Sequence, residues 1–100
     1  MFHHVVLMQL GPTADRPFLE RVHAYAEQIR RETTGLREYV FRRNQASRSD
    51  GLNWAVVSSF FTAADHDAYQ VSALHQEMKA FMTPHIARIV ACDIDEEQRL

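Results

Sequence analysis

The run Tyr69-Gln70-Val71-Ser72-Ala73-Leu74-His75 sets a phenol and an imidazole six residues apart, and His4 adds another imidazole near the start of the chain. Together these groups could carry out enolate chemistry. An imidazole that titrates near neutrality can take a proton from an acidic C–H, and a phenol can donate a hydrogen bond to the oxyanion that develops. Ser72 is a residue type that caps helices, so His75 is expected in a first helical turn. The positive end of the backbone dipole disfavours the imidazolium there and keeps a neutral ring available as a base. The plainer use of the same residues is structural, with His75 stapling a helix junction and Tyr69 filling core. Which use holds depends on whether the fold brings both to one pocket.

The first of the elements that must position them is a strand over residues 3–10, where His4-Val-Val-Leu-Met-Gln-Leu10 is stopped by Gly11-Pro12. Alternation sends His4, Val6, Met8 and Leu10 to one face and His3, Val5, Leu7 and Gln9 to the other, so His4 shares its side with Val6 and Met8. Asp15 as cap, Pro17 in the opening turn and Gly35 beyond the end delimit a helix over residues 16–33. Its stripe of Leu19, Val22, Ala26 and Ile29, flanked by Phe18 and Tyr25, must lie on a sheet. Residues 36–44 and 53–61 read as strands of an antiparallel hairpin joined through Ser49-Asp50-Gly51 turn chemistry. Thr62-Ala63-Ala64-Asp65 has the reciprocal capping pattern that starts a short helix. Ser72 starts another, striped by Leu74, Met78, Phe81 and Met82 and bounded at Pro84. Residues 88–94 close as a last strand, and 96–100 are expected to fray.

Strand, helix, two strands, paired short helices and strand make one helix layer on a four-stranded antiparallel sheet, an α+β ferredoxin-like arrangement. One layer covers one face only. The other face would stay exposed and apolar, so two copies closing sheet to sheet are expected, enclosing a lined interior into which Tyr69 and His75 point. A chain of 100 residues buries only ~60–70% of its extended surface, which also favours pairing.

At 46% hydrophobic and 24% charged residues the composition fits a single globular domain. A net charge of -2 provides no general attraction for nucleic acid or an anionic membrane. The single cysteine, Cys92, excludes an internal disulfide. With no charged-then-apolar leader and no apolar run near the membrane-spanning length, a soluble, reducing, cytoplasmic setting is expected. Two histidines four apart on a helix, or cysteine pairs, the usual local marks of a zinc or iron site, are missing. His23, His66 and His85 therefore read as surface residues, and neither metal nor cofactor is expected. Ser58, Ser59 and Ser72 lack a nucleophile-elbow setting. Trp54, Phe60, Phe41 and Tyr39 could stack a planar ligand or simply fill core. Arg42, Arg43 and Arg48 could attract an anionic tail or form a solvated edge.

The opening His4-Val5-Val6-Leu7, the Gly35-Leu36 pair, Phe60-Phe61, the Tyr69-to-His75 interval and the late Asp93 together resemble the stress-responsive A/B-barrel (Dabb) family over about residues 3–95. The resemblance implies a dimeric α/β barrel. A plant polyketide cyclase of that family uses a tyrosine and a histidine in this interval and a histidine on the first strand, roles that fall on Tyr69, His75 and His4. Trp54 stands where that enzyme has a further histidine, and its first-helix tyrosine aligns nearest Ala26, beside Tyr25. The resulting expectation is a homodimer that binds a small apolar or aromatic ligand, with Tyr69, His75 and His4 as reacting groups and Val6, Met8, Tyr25, Trp54 and Val56 as ligand contacts. Cofactor-independent cyclase or lyase chemistry, a non-catalytic stress-associated binding module and a cofactor-independent monooxygenase all fit such a pocket.

Overall fold

A computed structural model describes residues 1–99. In chain order the elements are β1 (Phe2–Leu10), α1 (Arg16–Glu32), β2 (Leu36–Arg43), β3 (Trp54–Phe60), α2 (Ala63–Gln70), α3 (Ala73–Met82), a 3₁₀ turn (Thr83–His85) and β4 (Ile86–Asp95). The strands lie in the order β2-β3-β1-β4, and every neighbouring pair is antiparallel. This is the α+β ferredoxin-like fold, with the helices on one face of the sheet.

Local chemistry accounts for the element ends. Asp15 accepts from Phe18 N–H at 3.1 Å to open α1, and the Thr33 N–H returns to the Ile29 carbonyl at 3.0 Å to close it. Phe18, Val22, Tyr25, Ala26 and Ile29 are buried on the sheet side of that helix. Gly35 follows at φ +78°, and a Cβ there would lie 2.2 Å from Asp65 Cγ. Glycine thus serves both the left-handed backbone and the close approach of α2. Thr62 accepts from Asp65 N–H at 3.1 Å, but the Asp65 carboxylate takes its return bond from the Thr62 hydroxyl at 2.8 Å, not from the Thr62 amide of the expected capping box. Between β2 and β3, Leu52 N–H donates to Ser49 O at 3.0 Å across Asp50 (φ 53°) and Gly51 (φ 77°). Two positive φ angles in a row define the I′-type turn that suits a hairpin.

Register decides what faces the helices. Tyr39 (β2), Ser58 (β3), His4 (β1) and Asp93 (β4) form one row across the sheet, and Phe41, Val56, Val6 and Ala91 form the next on the same face. Met8, Tyr39, Phe41, Val56 and Phe60 from this face join Val22 and Ile29 of α1 in the core. The opposite face carries His3, Val5, Leu7, Val57, Val90, Cys92 and Ile94, of which Val57, Val90 and Ile94 are exposed at 37%, 48% and 54%. The uncovered apolar face is therefore the odd-numbered set of β1. Tyr69 and His75 hang from the helix layer on the other side of the sheet, which corrects the expectation that they point into an interior between two sheets. At the sheet edge, β4 is exposed along nearly its whole length.

Candidate functional site

Between the helix-facing side of the sheet and the α2–α3 pair lies a cavity of about 780 Å³, within the range of small-molecule sites. Val6, Met8, Val56, Ile89 and Ala91 provide apolar floor, and Met78, Met82 and Ile86 provide apolar wall. The polar groups gather at one end, where the Tyr39–His4–Asp93 row of the sheet meets His66, Tyr69 and Gln70 of α2 and His75 of α3.

Ser72 builds the corner between the two helices. Its hydroxyl donates to Tyr69 O at 2.8 Å and accepts from His75 N–H at 3.2 Å, tying the last turn of α2 to the first turn of α3. The Tyr69 and His75 rings are held 4.6 Å apart between centroids. His75 Nδ1 lies 3.0 Å from the Gln70 carbonyl oxygen. A carbonyl only accepts, so Nδ1 carries the hydrogen and Nε2 of the neutral ring keeps its lone pair. Burial is the main force lowering the His75 pKa; the bond to Gln70 opposes it, and the charges of Lys79 and His4 add to it. Tyr69 is shifted the other way, chiefly by burial and then by the neighbouring Tyr39, so it keeps its proton and acts as a donor. Its hydroxyl meets the Tyr39 hydroxyl at 2.9 Å. Burial pushes Tyr39 up to about 12, against the opposing hydrogen bond with Tyr69 and the Arg30 charge.

His4 is buried, with Nδ1 2.5 Å from Asp93 Oδ1. Its ring lies 4.5 Å from that of His66 and 6.3 Å from that of Tyr69. His66 is not the surface histidine expected from spacing: it is 5% exposed, stacked on Phe2 at 4.4 Å with the Phe60 edge at 5.2 Å. Burial and then the charge of His4 lower its pKa, while Asp93 and Asp67 oppose the shift. Among the described residues, His4, His66 and Asp93 offer ligand atoms that all lie within 4.8 Å of one another.

Of the expected ligand contacts, Val6, Met8 and Val56 line the cavity. Tyr25 and Trp54 do not, and both are corrected to packing residues. α1 turns Tyr25 onto Phe81, 5.8 Å away, under the Arg21 guanidinium. Trp54 stacks on Phe41 at 4.8 Å, with Arg43 4.7 Å above its ring. Arg43 is thereby occupied, and Arg42 donates to Phe41 O, so the hairpin arginines are not at the cavity. Lys79 and Arg88 are the cations there, and Asp50 holds the Arg88 guanidinium. His66 and Gln70 were missed as site residues, Tyr39 was read only as a stacking or core aromatic, and Asp93 stood out only as a mark of resemblance. Each reaches the cavity through strand register or helix packing, for which no local spacing stands as a signal.

The chain matches the model of the stress responsive A/B barrel domain over residues 2–96, and it belongs to that family. Among solved structures it is similar to a dimeric ferredoxin-like protein of unknown function from Jannaschia sp. CCS1, with a TM-score of 0.83 and 19% identity over 94% of this chain and 97% of that one. It is also similar to a hydroxynitrile lyase from Passiflora edulis (TM-score 0.81, 19% identity, 95% of this chain and 94% of the other). An antibiotic biosynthesis monooxygenase gives a TM-score of 0.78 at 14% identity, covering 95% and 97%. At such identities these likenesses define the fold alone. Comparison with curated proteins finds no significant match. No described helix is long and apolar enough to cross a membrane.

Proposed function

We propose that the protein is a homodimeric, cofactor-independent enzyme of the cyclase or lyase type, acting on a small aromatic or polyketide-like carbonyl compound. The observation that carries this is the Tyr69–His75 pair at the polar end of an otherwise apolar cavity, with the His75 Nδ1 hydrogen occupied by the Gln70 carbonyl. His75 Nε2 removes the proton from an acidic carbon. Tyr69 donates to the oxyanion, and its own oxygen is placed by Tyr39. His4, backed by Asp93, supports the pocket wall, and Val6, Met8 and Val56 contact the apolar body of the substrate. The reading draws support from the hydroxynitrile lyase likeness, though only at the level of a shared scaffold. Homodimerisation draws support from the exposed apolar sheet face and from the dimeric Jannaschia neighbour. The free thiol of Cys92 on that face suits a reducing, cytoplasmic compartment.

Enolisation can be tested without knowing the natural substrate. A panel of aryl 1,3-diketones in D₂O, followed by proton NMR, reads catalysed exchange of the acidic C–H. The wild type is expected to accelerate exchange for at least one compound, and His75→Gln to remove ~10²–10⁴-fold of that rate. Tyr69→Phe should cost ~10²–10³-fold. Exchange untouched by either substitution sinks the assignment, and oxygen uptake by the same mixtures would point to oxygenation instead. For the dimer, Val90→Lys on the open face should halve the mass measured by light scattering.

A further inference from the structure

His66 and Asp93 have no part in proton transfer by Tyr69 and His75, yet they close on His4 at the polar end of the cavity. We propose that His4, His66 and Asp93 form a binding site for one divalent transition-metal ion of the zinc type. Two imidazoles and one carboxylate are a donor set suited to such ions, and three protein ligands leave a further position for water or a substrate oxygen. The ligand atoms lie within 4.8 Å of one another. Two ligands that share an ion at about 2.0–2.2 Å each can be no more than about 4.4 Å apart. Small side-chain shifts therefore close the site.

The three ligands come from three elements fixed independently of any ion. His4 and Asp93 are Cα partners in the β1–β4 ladder, and His66 descends from α2. The His66 ring is confined by Phe2 and Phe60, and the Gln70 amide meets its Nε2 at 2.9 Å. For His66 to ligate through Nδ1 its Nε2 must carry the hydrogen, so metal binding requires the Gln70 amide to turn its oxygen toward Nε2 as the acceptor. All three residues line the cavity, so the open position gives onto it. An ion in this position would hold a water or a ligand oxygen at the cavity's polar end, and the Tyr69–His75 proton transfer proposed above does not require it. Its binding does not depend on whether Tyr69 and His75 turn a substrate over.

The test reads binding, not activity. Chelator-stripped protein is titrated with Zn²⁺ by calorimetry, with Co²⁺ as an absorbance probe of the ligand set. One ion per chain is expected, together with the visible bands of a nitrogen–oxygen site of low coordination number. His66→Gln and Asp93→Asn should each weaken Zn²⁺ binding by more than the ~10–100-fold that loss of an outer-shell partner typically costs. His3→Gln should leave it unchanged, because His3 pairs with Glu96 on the opposite face. Circular dichroism checks folding, and Asp93→Asn, at a half-exposed carboxylate, carries the test where His66→Gln does not fold. Absence of stoichiometric Zn²⁺ binding overturns the proposal, as does full affinity in Asp93→Asn or loss of the ion in His3→Gln.

Discussion

The Tyr39–Tyr69 hydroxyl pair can be tested by a double-mutant cycle that needs no substrate. The hydroxyls meet at 2.9 Å, and the residues are 1% and 3% exposed, so neither group has bulk water beside it. Tyr39→Phe strips Tyr69 of its partner. A buried polar group left unpaired costs ~1–3 kcal/mol, and because Tyr69 lines the cavity, where water can enter, the low end applies, about 1 kcal/mol. Tyr69→Phe costs less, because the Tyr39 hydroxyl, released from Tyr69, turns its one hydrogen to the Met78 sulfur at 3.8 Å as a weak acceptor. About 0.5 kcal/mol is expected. The double variant removes both polar groups and replaces them with the same ring shape, which should be nearly neutral. The single losses together therefore exceed the double loss by about 1.5 kcal/mol. In urea, with a slope of ~1–3 kcal/mol/M, that coupling appears as roughly 0.5–1.5 M of midpoint displacement. All four proteins must be unfolded at one concentration, because an assembling chain has a concentration-dependent midpoint. Additivity to within ~0.3–0.5 kcal/mol would mean that the hydroxyls do not couple, and the placement of the Tyr69 donor by Tyr39 would fall with it.

Gly35→Ala should destabilise by about 2 kcal/mol or more in the same denaturation assay, since an L-residue pays ~1–2 kcal/mol at positive φ and its Cβ meets Asp65 at 2.2 Å; a loss below 0.5 kcal/mol on the order of measurement error would refute the close approach. Ser72→Ala removes the cap of α3 and the tie to Tyr69, for an expected ~1 kcal/mol, and should slow diketone exchange by more than the stability loss explains; unchanged exchange would show that Ser72 does not position the pair. Burial sets the folded pKa of His75 below its unfolded value of about 6.5, so as the pH falls the unfolded chain takes up this proton first. The His75 contribution is therefore intact above about pH 6.5 and is lost as the pH falls through the folded pKa. His75→Gln should flatten, without abolishing, the acid-side decline of stability, because His66 is shifted in the same direction. An unaltered slope, or an NMR titration midpoint for His75 above 6.5, would contradict that.

Local signals were enough for most of the fold. Asp15, Pro17, Gly35, Thr62, Ser72 and Pro84 punctuate the chain at boundaries that the structure meets within a residue or two, because capping and turn geometry depend on neighbours in sequence. The period-two pattern of β1 placed His4 with Val6 and Met8 correctly, yet both faces of that strand are apolar, so alternation alone could not say which face the helices cover. Tyr25 and Trp54 went wrong for a related reason. An aromatic on a helix stripe or at a strand end is equally suited to core and to cavity, and only the packing of Phe81 and Phe41 against them decides. His66 and Asp93 lie 62 and 89 positions from His4, and no spacing rule reaches that far.

The two ends of the polar cluster are held by different means, and this shapes how the site can behave. Tyr69 and His75 are fixed within seven residues by Ser72, through local bonds that form whenever the helix corner forms. Asp93 depends instead on the β1–β4 register, on a strand that is exposed along nearly its whole length and that the helix layer scarcely covers. Edge strands of this kind are the least protected part of a sheet, and Val90 and Ile94 on the open side of β4 are among the groups a second copy would bury. In the proposed dimer, closure would add stability where the His4–Asp93 contact needs it, while leaving the helix corner untouched. The proposed dimer would thus couple to the acidic end of the site through one strand, whereas the Tyr69–His75 pair is set by its own short segment.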